Sequence, residues 1–348
     1  LALVFISCSS ITNGRREAVT GSGYESLPPP EYSIVCIIHG DAAYLYHDTD
    51  GNAHKADEVA LAKMKTVAQR NARAEVFVFH ERRRRHFMFF FPRRDGTFYY
   101  YRNGDLVAKE SYWRDQGESR FDPETELYNR FRAEGTPGTL KIFLYFGHEI
   151  PEFGGKGYDA SYRNRTFTIS DLSEGLKGIA QDSTKIDLVV LSTCFNGTPH
   201  TMEALAPHAR YVVASPDNLH LSYFDPAPFE RLDSGLREGD VSEFAKAFAR
   251  HAFERLTREL QTAVTVVVYD MELVRPFTRS VAGVYDRTLN SLQGRAPGSY
   301  ERCDCAEDPE YTLQGMHDGV TVLYRSPRFG RSKNKRSHSG WECWRLVE

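Results

Sequence analysis

The chain has 348 residues, enough to bury a sizeable core, and its 44 Lys and Arg stand against 47 Asp and Glu for a formal net charge of −3. That balance excludes a global electrostatic attraction to nucleic acid. Hydrophobic residues make up 41% and charged residues 26%, ordinary for a globular protein, and past the first residues no apolar run is long enough to cross a bilayer.

Leu1 to Ser10 is apolar and then abruptly polar. It reads as the end of a secretory signal, with Ser7-Cys8 resembling a bacterial lipoprotein cleavage site and Cys8 as the candidate lipid anchor; the alternative is a frayed apolar terminus. Ile11 to Pro30 is rich in Gly, Ser, Thr and Pro and reads as a tether. The division expected is a leader and tether over 1–30, a folded domain over 31–290 and a Cys-containing basic extension over 291–348.

Tyr32 to Ile38 is the first expected strand and ends at His39-Gly40-Asp41. A helix follows over 53–72, with Val59, Ala60, Met64 and Val67 at helical spacing, then a strand over 75–79. This βαβ opening predicts a doubly wound sheet. His39 competes for a catalytic role with a strand-end histidine bonded to nearby backbone. Arg82 to Arg85 is a short basic run that invites a nucleic-acid reading, against which a solvated loop is weighed. Phe87 to Phe91 and Thr97 to Tyr101 flank Asp95-Gly96 and predict a β-hairpin insertion, and a helix is expected over 124–133.

Two later segments carry the chemistry. Leu140 to Phe146 is an apolar run ending in Gly147-His148-Glu149. Ile186 to Leu191, rich in β-branched residues, ends in Ser192-Thr193-Cys194. Both read as strands buried on two faces, and the helix-like stretch from Ile169 to Ala180 joins them. A strand, helix, strand connection is a right-handed crossover with parallel strands, so His148 and Cys194 should share one sheet edge. Open α/β sheets place reactive groups at that edge. A helix expected over 198–206 would present its amino terminus near the thiol and favour the thiolate. A Cys–His pair is the minimum for thiol acyl transfer, and backbone N–H groups near Gly147 and Cys194 are the oxyanion donors expected. Glycines 154, 155 and 157 fit neither a Walker nor a dinucleotide pattern and read as an active-site loop.

A strand ending in Gly147-His148, then one ending in Cys194 a βα unit later, resembles the clostripain-like cysteine peptidases. The resemblance extends through Ala209-Arg-Tyr-Val-Val-Ala-Ser215-Pro216. It implies a caspase-like three-layer αβα sandwich, with a mostly parallel sheet of about six strands plus the hairpin insertion. It implies an endopeptidase, with cleavage after Arg or Lys and activation by internal cleavage at Lys156, Arg163 or Arg165; no cofactor is expected, calcium being the one ion the resemblance leaves open. This chain departs from the family with Glu149 in place of the usual Gly after His, and Ser192-Thr193 in place of Asp-Ala before Cys. Those departures motivate the alternative of an inactive surface binding module. In the family an aspartate after the Ala-Ser strand end receives the basic side chain. Ungapped alignment from Ser215-Pro216 puts Ser222 there, so the acidic candidates are Asp225, Asp217 and Asp41. The expected partner is a peptide or protein substrate, with no nucleic acid and no membrane contact beyond the Cys8 anchor, in or beyond a bacterial cell envelope.

Beyond Asp225 a long helix is expected over 241–260, a strand over 263–269 and a helix over 271–289. The tail carries Cys303-Asp-Cys305, His317 and Cys343 at a spacing that matches no common zinc pattern. With export, Cys303 or Cys305 pairing with Cys343 is the expectation instead.

Overall fold

A computed structural model describes residues 28–41, 44–47, 51–87, 91–114, 121–133, 139–180, 185–219, 224–232, 241–293, 299–311 and 313–347. Cys8 and Ser222 lie outside the described residues. The chain runs β1 (Tyr32–Gly40), the short pair β2 (Leu45–His47) and β3 (Ala53–Lys55), α1 (Ala56–Arg70), β4 (Ala74–Arg82), and the short pair β5 (His86–Phe87) and β6 (Phe91–Pro92). It continues through β7 (Gly96–Arg102), β8 (Asp105–Tyr112), α2 (Asp122–Phe131), β9 (Leu140–Phe146), α3 (Ile169–Ala180), β10 (Ile186–Ser192), α4 (Pro199–Leu205) and β11 (Ala209–Ala214). It closes with α5 (Val241–Glu259), β12 (Val264–Asp270), α6 (Arg275–Leu292), β13 (Tyr300–Asp304), β14 (Val320–Arg325) and β15 (Glu342–Leu346).

The main sheet has nine strands in the order β14-β12-β11-β10-β9-β1-β4-β7-β8. The five from β11 to β4 are mutually parallel, and the two on each flank are antiparallel. Two-residue periodicity splits the strand side chains between two cores. From β1, Val35 and Ile37 join the core that takes α2, α3, α4 and α6, whereas Ile34, Cys36 and Ile38 join the one that takes α1 and α5. This is an αβα sandwich. Burial on both faces explains why these strands read as unbroken apolar runs.

The hairpin lies one strand later than the sequence suggests. Its turn is Asn103-Gly104, with φ of 55° and 81° at the two central residues. That is the paired left-handed geometry of a two-residue hairpin turn, which Asn-Gly accepts at low cost. Gly96 instead opens β7, where a Cβ would lie 2.3 Å from the Tyr112 ring. The segment from Tyr300 onward does not stand apart. β14 extends the main sheet, β13 pairs with β15, Cys305 is bonded to Cys343, and Trp341 is fully buried against Tyr269 and Phe277.

Candidate active site

The register of the parallel strands fixes where the two reactive residues stand. Ser192 of β10 pairs with Phe146 of β9. His148 is two residues past Phe146 and Cys194 two past Ser192, so both emerge at the carboxyl edge of adjacent strands. Each is half-buried.

Side chains that the sequence did not single out hold both loops. The Asn196 amide is buried, accepts the Ile150 N–H at 3.1 Å and donates to the Ile150 carbonyl at 3.0 Å. Its oxygen also accepts the Thr193 hydroxyl at 2.6 Å. One side chain thus ties the loop after His148 to the loop carrying Cys194. Phe195, next after the cysteine, has φ of 55°, a conformation unusual for a bulky residue and one that turns the chain sharply there.

The His148 ring stacks on Tyr44 with centroids 4.3 Å apart, and the His148 N–H donates to the Tyr44 hydroxyl at 2.6 Å. Partial burial, reinforced by nearby His39, lowers the His148 pKa and favours the neutral imidazole that a base requires. The Cys194 sulfur accepts the Leu219 N–H at 3.3 Å and lies 3.3 Å from the Asn218 side-chain oxygen. The Leu219 N–H favours the thiolate, whereas the Cys194 S–H donating to the Asn218 oxygen favours the thiol. The expected helix terminus contributes less directly. α4 starts only at Pro199, and Thr198 caps it by accepting the Thr201 N–H at 3.0 Å.

No protein-family model matches this chain, and no curated protein matches it. Solved structures do. A C11 protease from Parabacteroides distasonis, described as an inactive zymogen, superposes with a TM-score of 0.61 at 12% identity, covering 91% of this chain and 92% of that one. A secreted C11 cysteine protease from Bacteroides thetaiotaomicron, in complex with an irreversible peptide inhibitor, gives 0.54 at 11% identity over 92% and 90% of the two chains. The secreted protease of that organism called iotapain gives 0.51 at 11% over 76% and 72%. The fold is that of the C11, clostripain-like cysteine proteases.

Within that fold several expected roles change. The Gly147 N–H donates to the Ser192 carbonyl at 3.4 Å, so it belongs to the sheet ladder and is not directed at an oxyanion. His39 is 2% exposed, its Nε2 is 2.8 Å from Asp159, and it stacks on Tyr158, so it is buried away from a substrate. Asp41 is fully buried, bonded to Arg114 at 2.6 Å and to the Ser161 hydroxyl at 2.6 Å, out of reach of a substrate side chain. The Asp217 carboxylate is bonded to the Thr265 hydroxyl, and its carbonyl accepts the Phe195 N–H at 3.3 Å. Asp225 pairs with Lys63 at 2.8 Å. Burial pushes its carboxyl up, but that pair and the Ala227 N–H outweigh it and hold the pKa low.

The two departures from the family pattern have structural partners. Glu149 forms an ion pair with Arg302, and the Ser192 hydroxyl accepts the Phe224 N–H at 2.7 Å. Of the candidate processing residues, Lys156 and Arg163 are exposed, whereas Arg165 pairs with Asp159 at 3.1 Å. His39, Asp41 and Asp159 bring ligand atoms within 4.8 Å of one another, yet the group does not fit a calcium ion. The Arg114 guanidinium already bonds Asp41 at 2.6 Å and Asp159 at 2.7 Å and also pairs with Glu81 and Asp95, putting a positive charge where the metal would be.

Proposed function

We propose that the chain is a cysteine endopeptidase in which His148 and Cys194 form the dyad. The observation that supports the reading is the Ser192–Phe146 register, from which Cys194 and His148 each follow by two residues at the ends of adjacent parallel strands. The Cys194 thiolate attacks the scissile carbonyl carbon. His148, having taken the Cys194 thiol proton, delivers it to the departing amine and leaves a thioester, then takes a proton from the water that hydrolyses it and returns that proton to the released Cys194 sulfur. The Cys194 N–H is the backbone donor assigned to the developing oxyanion. Tyr44 fixes the imidazole plane, and the Leu219 N–H holds the sulfur.

For cleavage after Arg or Lys, the carboxylate assigned is Asp225. It is the acidic candidate whose present partner, Lys63, is one-third exposed and can yield to a substrate cation. The disulfide fits an oxidising compartment and therefore export, with lipidation at Cys8 as the proposed anchor. Mass spectrometry after treatment with a thiol-directed peptide inhibitor tests the assignment. One adduct on Cys194 is expected, absent in Cys194→Ala. A protein that takes no adduct across a panel of peptide inhibitors is instead a binding module on this fold.

A further inference from the structure

Both residues that follow the dyad members meet one side chain from the far end of the chain. The Arg302 guanidinium, on β13, forms an ion pair with Glu149, the neighbour of His148. It also lies 4.2 Å from the ring centroid of Phe195, the neighbour of Cys194. It also lies 4.3 Å from the Trp344 ring centroid on β15, and Glu342 is 3.7 Å away. The β13–β15 pair touches the cysteine loop a second time, through the Glu342 N–H to the Gly197 carbonyl at 3.0 Å. It meets the histidine loop again through the Trp344 indole N–H to the Glu152 carboxylate at 2.9 Å. The pair is linked by the Cys305–Cys343 disulfide and anchored by buried Trp341.

A planar cation held against two rings and paired with a carboxylate is a rigid spacer. We propose that Arg302 is a positioning residue for the peptidase site, fixing the separation of His148 and Cys194 by bridging Glu149 and Phe195 from the disulfide-linked β13–β15 pair. The inference rests on the dyad assigned above. It gives Glu149 a role of its own: the turn that glycine makes in the family is here pinned from outside by an ion pair. It also accounts for the left-handed Phe195, whose ring is brought under the guanidinium by that backbone conformation.

The test compares wild type, Arg302→Met, Arg302→Lys and the exchange Glu149→Arg with Arg302→Glu. Two readouts are taken: kcat and KM on a peptide substrate, and the pH dependence of Cys194 alkylation by iodoacetamide, read by mass on the Cys194 peptide. Arg302→Met should lower kcat roughly 100-fold with little change in KM, the effect of a misplaced reacting pair. Its alkylation profile should move toward that of an ordinary thiol, near pH 8.5. Arg302→Lys, which keeps the charge but not the planar contact with both rings, and the exchange variant should each recover part of both. A merely structural role would change the unfolding midpoint and leave the alkylation profile of the folded protein unmoved. Arg302→Met and Arg302→Lys with kcat and alkylation profile within twofold of wild type would overturn the inference while the dyad stands. A wild type with neither turnover nor enhanced low-pH alkylation would overturn the dyad, and the inference with it.

Discussion

Asn196 gives the most direct way to ask whether the two active-site loops are one unit. In Asn196→Ala the Ile150 N–H, the Ile150 carbonyl and the Thr193 hydroxyl all lose their partner, and Ile150 and Thr193 are buried at 0% and 1% exposure. Net contributions near 1 kcal/mol per bond give a loss of about 3 kcal/mol, more if water cannot reach the orphaned groups. Urea unfolding at constant m-value reads this as a lower midpoint. Because the bonds join the histidine loop to the cysteine loop, kcat should fall by roughly 100-fold with KM nearly unchanged. Asn196→Asp sharpens the test. It keeps the acceptor for the Ile150 N–H and Thr193 but sets a second oxygen against the Ile150 carbonyl at 3.0 Å. A protonated carboxyl can donate there and an ionised one cannot, so its deficit should be smaller at pH 5 than at pH 8. A loss under 1 kcal/mol in Asn196→Ala, or an Asp variant indifferent to pH, refutes the claim that this amide holds the loops together.

Three further predictions follow from the charge and disulfide pattern. Burial, with Glu81 nearby, pushes the Glu124 carboxyl up to about 8. The folded protein then keeps a proton that the unfolded chain releases near pH 4.3, so this group's contribution falls as pH rises between roughly 4.3 and 8, by up to about 1.4 kcal/mol per pH unit; Glu124→Gln should flatten stability over that window, and an unchanged slope would count against it. Replacing both members of the Cys305–Cys343 pair by Ser opens a closure of 38 residues, for which chain entropy sets a ceiling of about 4 kcal/mol; thermal unfolding should shift down by several degrees, and wild type under strong reductant should behave the same, whereas no shift in either would show that the β13–β15 pair is held without it. Asp225→Ala should lower kcat/KM for Arg substrates about 100-fold, the loss expected when one member of a charge pair is removed, and leave apolar substrates nearly untouched; equal effects on both would remove Asp225 from the specificity pocket.

The parallel core was legible because strands buried on both faces must be apolar throughout, as β1, β9 and β10 are, and because a crossover has one hand. His148 and Cys194 stood out for the same reason: each ends such a run. The hairpin was misplaced because Asp95-Gly96 and Asn103-Gly104 are both turn signals. The choice between them was made by packing, with Tyr112 filling the space beside Gly96. What surrounds the dyad was not legible. Tyr44, Asn196, Leu219 and Arg302 act through contacts 25 to 153 residues away in sequence. Leu219 contributes only a backbone N–H, which leaves no mark on residue type. The charged cluster around Arg114 was hidden likewise, since Asp41, Glu81, Asp95 and Asp159 come from four separate segments. Asn196 carried a weak signal, since an Asn just past a strand end has the amide that a buried bridge needs.

The central claim is that His148 and Cys194 hydrolyse peptide bonds together. Turnover of a peptide library by wild type, Cys194→Ala, His148→Ala and the double variant tests it most directly. The account predicts measurable turnover in wild type, its loss by several orders of magnitude in each single variant with the folded state retained, and no further loss in the double, because residues that act as a unit are not additive. Wild-type turnover that survives Cys194→Ala, or losses in the two single variants that multiply in the double, would contradict it.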